Sequence, residues 1–153
     1  MSTQLAAQIS DAVKSAMRAK DSARLGTLRL VQAAIKQKEI DERTTLDDAQ
    51  ILAIVEKQVK QRRESIAAFQ QAGRTESAQQ EQAELDILQE FLPAQASEAE
   101  VDAAVQAALD EVSAQGVSGP AAMGKVMGLV KQALAGKADM SLVSARVKAK
   151  LSA

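Results

Sequence analysis

The stretch whose residue types and spacing come nearest to a chemical motif is Gly119-Pro120-Ala121-Ala122-Met123-Gly124-Lys125. It fits the first seven places of a nucleotide-binding phosphate loop, where backbone N–H groups cradle phosphates and the lysine neutralises them. The eighth place calls for a Ser or Thr hydroxyl to hold magnesium, and Val126 stands there. Such a loop also follows a strand, whereas the residues before this one have helical periodicity. Nucleotide hydrolysis is therefore not expected. Two physical features remain. A helix start presents free N–H groups that favour anions, and Lys125 adds positive charge near it. Gly124 and Gly128 stand four apart on one helix face that carries no side chains. Close helix packing, which the physics alone favours, and close approach of a nucleic-acid backbone are the two readings of that face.

Other chemistry is sparse. The chain has no cysteine and no histidine, which removes thiolate chemistry, the commonest general base and the commonest metal ligand. Catalysis would have to use Ser with Lys, or paired carboxylates. Asp47 and Asp48 sit at an expected helix start, where acids complement the helix dipole. Glu39, Asp41 and Glu42 fall at an expected loop. None of these groups reads as a magnesium or zinc cage. No catalytic residue, metal or cofactor is expected, and the chain is not expected to be an enzyme on its own.

The elements that must position these residues follow from periodicity. The 153 residues, rich in Ala, Leu, Gln and Glu with only Phe69 and Phe91 as aromatics, favour helix over sheet. Leu5, Ile9, Ala12, Val13 and Ala16 mark a first helix, capped by Ser2 or Thr3 and ending near Lys20. A second, capped by Asp21 or Ser22, carries Leu25, Leu28, Val31 and Ile35 to about Ile40. After a loop at Asp41–Thr44, Thr45 with Asp48 resembles a capping pair. The third helix then carries Ile51, Val55, Val59, Ile66 and Phe69 to a Gly73 cap. Thr75 starts a fourth, with Ala78, Leu85, Leu88 and Leu92, broken by Pro93. Ala94-Gln95-Ala96 is the expected domain boundary. Ser97 and Glu100 form a capping box for a fifth helix, with Val101, Val105, Ala108 and Val112, that stops at Gly116. Ser118 caps a sixth, with Pro120 in its first turn, its apolar face being Met123, Val126, Met127, Val130 and Leu134, and Gly136 ending it. Ser141 caps a seventh with Leu142, Val143, Val147 and Leu151. The expected fold is all-α in two small bundles: four helices over residues 1–93 and three over 97–153.

Charge is patterned on this frame. Arg62 interrupts the apolar stripe of the third helix, and Glu81 that of the fourth. An antiparallel pair turning at Gly73 brings them within reach, as a partly buried ion pair that sets register. The alternative is that Arg62 faces a groove and takes an anion. Lys57, Lys60 and Arg63 lie off the seam as a modest basic stripe, which a solvated face explains. Residues 97–115 hold Glu98, Glu100, Asp102, Asp110 and Glu111 and no base, whereas 116–153 hold Lys125, Lys131, Lys137, Arg146, Lys148 and Lys150 against Asp139 alone. The basic half is a reasonable phosphate-facing surface, unless it folds against the acidic helix. No apolar run approaches the ~20 residues that cross a bilayer, and Met1-Ser2-Thr3-Gln4 has no signal-peptide layout. A cytoplasmic protein without membrane contact is the expectation.

Leu28-Arg29 to Ile40, Lys60-Gln61-Arg62-Arg63-Glu64-Ser65-Ile66, Phe69 to Arg74 and Leu88-Gln89-Glu90-Phe91-Leu92-Pro93 together resemble the bacterial YqeY-like proteins, which usually carry Tyr where Phe91 stands. Met123-Gly124-Lys125-Val126-Met127-Gly128 and Gly136-Lys137-Ala138-Asp139 resemble that family's carboxy-terminal signature. The likeness covers essentially the whole chain. That family is similar to the helical tail of the B subunit of the tRNA-dependent amidotransferase, which converts misacylated Glu-tRNA or Asp-tRNA with glutamine as amide donor. The subunit's cradle domain and the amidase subunit have no counterpart here. What the resemblance implies is thus a tRNA-handling module that could support carbon–nitrogen ligase activity, not the amide-transfer machinery. It places Gly124, Lys125, Gly128, Lys137 and Lys148 where the tail's glycines and basic residues stand. The tail often reads Asn-Pro where Asp139-Met140 stands, so RNA contact at that turn is in question.

Three readings follow. The first is a non-catalytic RNA-binding accessory module using Gly124, Lys125, Gly128, Lys131, Lys137, Lys148 and Lys150. With so few aromatics, it would read backbone and shape rather than stacked bases. The second is a protein-interaction module docking on an aminoacyl-tRNA synthetase or an amidotransferase. The third is a supporting subunit of the ligase. The first rests on one requirement: the lysines of the last two helices and the glycine face must share one solvent-facing side.

Overall fold

A computed structural model describes residues 3–152 and shows seven helices and no strand among them. The expected Ser2 cap lies outside the described residues, and Thr3 caps α1 (Gln4–Arg18), its hydroxyl accepting from the Ala6 N–H. Asp21 caps α2 (Ser22–Glu42). This helix runs two residues past the expected end at Ile40. Side-chain pairs across one turn, Gln37 to Asp41 and Lys38 to Glu42, carry it on, and Arg43 closes it in the left-handed conformation at φ 53°.

Helix α3 (Asp48–Gln71) is capped by Asp47, not by Thr45 as expected. Asp47 accepts from the Gln50 N–H at 2.8 Å and Gln50 returns the bond at 3.0 Å. The box therefore closes between an acid and an amide three residues apart, and Leu46 is left free to turn inward, where it is 1% exposed. Gly73, at φ 70°, then turns the chain into α4 (Thr75–Gln89).

Helix α5 (Glu98–Ala114) begins at Ser97, whose hydroxyl accepts from the Glu100 N–H at 3.2 Å. Helix α6 (Pro120–Ala133) is capped by Gly119 rather than the expected Ser118. Gly119 sits at φ 71°, ψ −153°, a region that only glycine enters readily, and Pro120 supplies the first helical φ. Helix α7 (Met140–Leu151) is capped by Asp139, which accepts from Ser141 at 2.9 Å, so Ser141 is the capped residue and not the cap.

The chain divides into two compact units, one up to Pro93 and one from Ala94. In the first, α3 packs chiefly on α4, and both meet α2. Its core joins Ile9, Val31, Leu46, Ile51, Val55, Val59, Leu85 and Leu88. In the second, α5, α6 and α7 each touch the other two around Val105, Ala108, Val112, Val126, Val130, Val143 and Val147. Each helix gives up one apolar stripe at helical spacing, which is what bundle packing requires. The expected boundary segment is not a free linker. Gln95 Nε2 donates to the Gly136 carbonyl at 3.0 Å and the Ala96 N–H to the Lys137 carbonyl at 2.8 Å, which ties the segment to the α6–α7 turn.

Candidate functional site

The second unit carries the features that could take a ligand. Ala122, Val126 and Val130 face the core from α6. At about 100° per residue, the opposite face falls on Ala121, Gly124 and Gly128, flanked by Lys125 and Lys131. All five are exposed. A Cβ built on Gly124 or Gly128 meets nothing within 4 Å. Among the described residues of this unit the glycines therefore do not serve close packing.

The basic residues divide into two sets. Arg146 is bound to the acidic helix, 2.6 Å from Asp102 and 3.4 Å from Glu98. Lys150, in register with Val143 and Val147, reaches back to Gln106 Oε1 at 3.2 Å. Neutralisation by α5 thus falls on Arg146, while Lys150 meets an uncharged amide. Lys125, Lys131, Lys137 and Lys148 are exposed and make no ion pair among the described residues. Lys137 is positioned by its backbone: its N–H donates to Leu134, its carbonyl accepts from Ala96, and Gly136 turns at φ 72° beside it.

Two hollows adjoin this surface. One, of about 290 Å3, lies beside Lys125 and Gly128 and is lined by Val112, Gln115, Leu129 and Gln132. The other, of about 560 Å3, opens at the start of α6 between Gln106, Asp110, Ser118 and Lys150 over a floor that includes Val112 and Val126. No group of three or more acidic, His or Cys side chains that could hold a metal ion occurs among the described residues. No helix there is long and apolar enough to cross a membrane.

In the first unit Arg62 Nη1 lies 3.3 Å from Glu81 Oε2, and its Nε lies 3.4 Å from Glu84. The side chains are about one-fifth to one-quarter exposed. The Glu84 carboxylate is near Nε without being aligned to accept from it, so Nε is buried without a hydrogen bond. Lys57 and Lys60 are exposed, and Arg63 is half-buried and engaged. Sequence reasoning missed the contacts of acids with distant backbone. Asp48 accepts from the Leu5 N–H at 3.0 Å and Glu39 from the Leu46 N–H at 3.0 Å, and nothing in residue spacing signals either.

The fold and this surface define a class first: an all-helical protein with an open, basic, small-residue helix face. The profile of the Yqey-like protein family matches residues 6–151, and the chain belongs to that family. A Pyrenophora tritici-repentis protein named "Altered inheritance of mitochondria protein 41, mitochondrial" is 32% identical over 140 residues, spanning 89% of this chain and 75% of its own length. Proteins of the same name from Eremothecium gossypii and Lachancea thermotolerans are 41% and 38% identical over 60% and 65% of this chain. The chain spans 51% and 55% of those two. These names correct two expectations. The similar curated proteins are fungal and mitochondrial, which points away from a bacterial, cytoplasmic setting. Composition could not make that distinction, because a cysteine-free helical domain meets the same physical demands in either compartment.

Proposed function

We propose that this chain is a non-catalytic RNA-binding accessory module whose ligand is the phosphate backbone of tRNA. The observation that carries the reading is that Lys125 and Lys131 flank a face of α6 whose two glycines have open space above them, with Lys137 and Lys148 also exposed and making no ion pair among the described residues. Lysines neutralise phosphates, and bare glycines let a backbone approach to within contact of the helix. Residues 94–153 contain no aromatic side chain, so the surface has no platform for stacked bases, and recognition goes through shape and backbone. Lys150 is a weaker participant because it is held by Gln106. In this reading the two compact units are separate helical bundles, Arg62 and Glu81 serve only to set register in the first, and the relatives' names suggest mitochondria as the setting. The likeness to the amidotransferase tail suggests a supporting part in glutamine-dependent amide transfer.

The test is fluorescence anisotropy with a tRNA transcript and a single-stranded homopolymer of equal length. Tighter binding to the folded tRNA, weakening steeply with salt, is expected. Salt-independent binding, or none at low salt, refutes the reading. A second reading, docking on a synthetase or an amidotransferase, is favoured by Leu142, 66% exposed on α7. It predicts that Leu142→Asp releases a co-purifying protein partner while leaving tRNA binding intact.

A further inference from the structure

The smaller hollow of the second unit is built by one face of α6 and the end of α5. Lys125, Gly128, Leu129 and Gln132 recur at helical spacing along α6, so they share a side of that helix. Val112 and Gln115, a turn apart where α5 ends, close the hollow from the other helix. Val112 is buried and Leu129 half-buried, which gives the hollow an aliphatic floor. Lys125, Gln115 and Gln132 are exposed at its rim. Gly128 makes the room: a Cβ there meets nothing within 4 Å, so no neighbouring side chain has moved in over it.

Three properties say what fits. At about 290 Å3 the hollow lies at the lower end of small-molecule sites, a size for one flat ring system rather than for a helix. Its lining holds a cation and no acid, whereas the larger hollow at the start of α6 has Asp110 in its wall. The Gln115 and Gln132 side-chain amides are bonded to no other described residue, and each offers donors and an acceptor side by side, the pattern that base edges present. Aliphatic floor, amide rim and ammonium group together match the ring, the edge and the phosphate of a nucleotide. The lack of aromatic residues removes a stacking platform but not this arrangement, since an unstacked base can also be seated against apolar side chains.

We propose that this hollow takes one unpaired RNA base, its ring against Val112 and Leu129, its edge read by Gln115 and Gln132, and its phosphate neutralised by Lys125. Lys125 and Gly128 belong both to the hollow and to the exposed face of α6, so a backbone lying on that face has the hollow beside it. Glu111, one turn before Gln115 on α5, lies outside the lining and disfavours phosphate there, which orients the nucleotide with its phosphate toward α6. This mode of binding rests on the RNA reading and adds base selection to it. Lysines alone hold any RNA backbone, whereas the hollow favours RNA with an extruded base.

The experiment is fluorescence anisotropy of the full chain with a tRNA transcript and a set of RNA duplexes of one stem sequence. One duplex is fully paired, and the others carry a single bulged A, G, C or U. The parent should bind the preferred bulged duplex roughly tenfold tighter than the paired one and should rank the four bases. Gly128→Leu puts a side chain into the hollow and should bring every duplex to the paired level. Gln115→Met with Gln132→Met keeps the volume but removes the amides, and should leave a bulge preference that no longer distinguishes the bases. Both variants keep every lysine, so the slope of log affinity against log salt should match the parent's. All three positions are exposed, so far-UV circular dichroism should be unchanged. Equal binding of paired and bulged duplexes, with tRNA still bound and steeply salt-dependent, overturns the base site and leaves the RNA reading standing. No binding to the duplexes or to tRNA at low salt overturns both. A bulge preference that survives in Gly128→Leu, or a base ranking that survives loss of both amides, also overturns the proposal.

Discussion

Replacing Gly124 and Gly128 together by alanine separates a packing role from a binding role. Both lie inside α6, and a Cβ at either meets nothing within 4 Å. Neither takes a positive φ, so alanine brings no backbone strain. Glycine inside a helix costs about 0.5–1 kcal/mol relative to alanine, so the double change should stabilise the protein by roughly 1–2 kcal/mol. For a unit of this size that corresponds to a rise in Tm on the order of 10 °C. The same two methyl groups stand where an RNA backbone would press on the helix, so tRNA affinity should fall while stability rises. Urea unfolding and tRNA anisotropy on one preparation report both quantities. A destabilised variant would mean that the glycine face is covered in the protein. Unchanged affinity would mean that RNA does not land there.

Alanine at Lys125, Lys131, Lys137 or Lys148 should lower the slope of log affinity against log salt by about 1 each. Arg146→Ala should leave that slope unaltered, because Asp102 and Glu98 hold its charge; equal slopes across the series would remove the lysine assignment. Arg62→Ala leaves Glu81 and Glu84 facing each other with most of their surface covered, and should cost on the order of 1–2 kcal/mol in urea unfolding without touching tRNA binding. Gly119→Ala must hold a non-glycine residue at φ 71°, ψ −153°, at about 1–3 kcal/mol; a neutral result in thermal melts would show that α6 can start elsewhere. Leu88→Ala empties a fully buried site and should cost about 3–5 kcal/mol by the same method.

Much of this molecule is local chemistry made visible. Apolar residues three and four apart give each helix its buried face: Val101, Val105, Ala108 and Val112 on α5 are all in the core. Gly73, Gly116 and Gly136 take the positive φ values that end or follow helices, because only a residue without Cβ does so cheaply. Caps were legible to within a residue or two. They slipped where several hydrogen-bonding side chains stood together, as at Thr44 to Asp48, since neighbouring acceptors compete and the winner depends on where Leu46 goes. The positive charge of the last two helices and the glycine spacing on α6 were equally plain in the chain itself.

What tertiary packing alone settled is which of those charges remains available. Arg146 and Lys148 are two residues apart, yet one is bound to Asp102 and the other is exposed, because a 100° step per residue turns one toward α5 and the other away. Spacing likewise could not say whether Gly124 and Gly128 would be covered, since a bare helix face suits a neighbouring helix and open solvent alike. Long-range bonds such as Leu5 to Asp48 and Ala96 to Lys137 join residues more than forty positions apart. Only the folded arrangement brings such donors and acceptors within 3 Å, because a hydrogen bond depends on distance and direction in space, not on order along the chain.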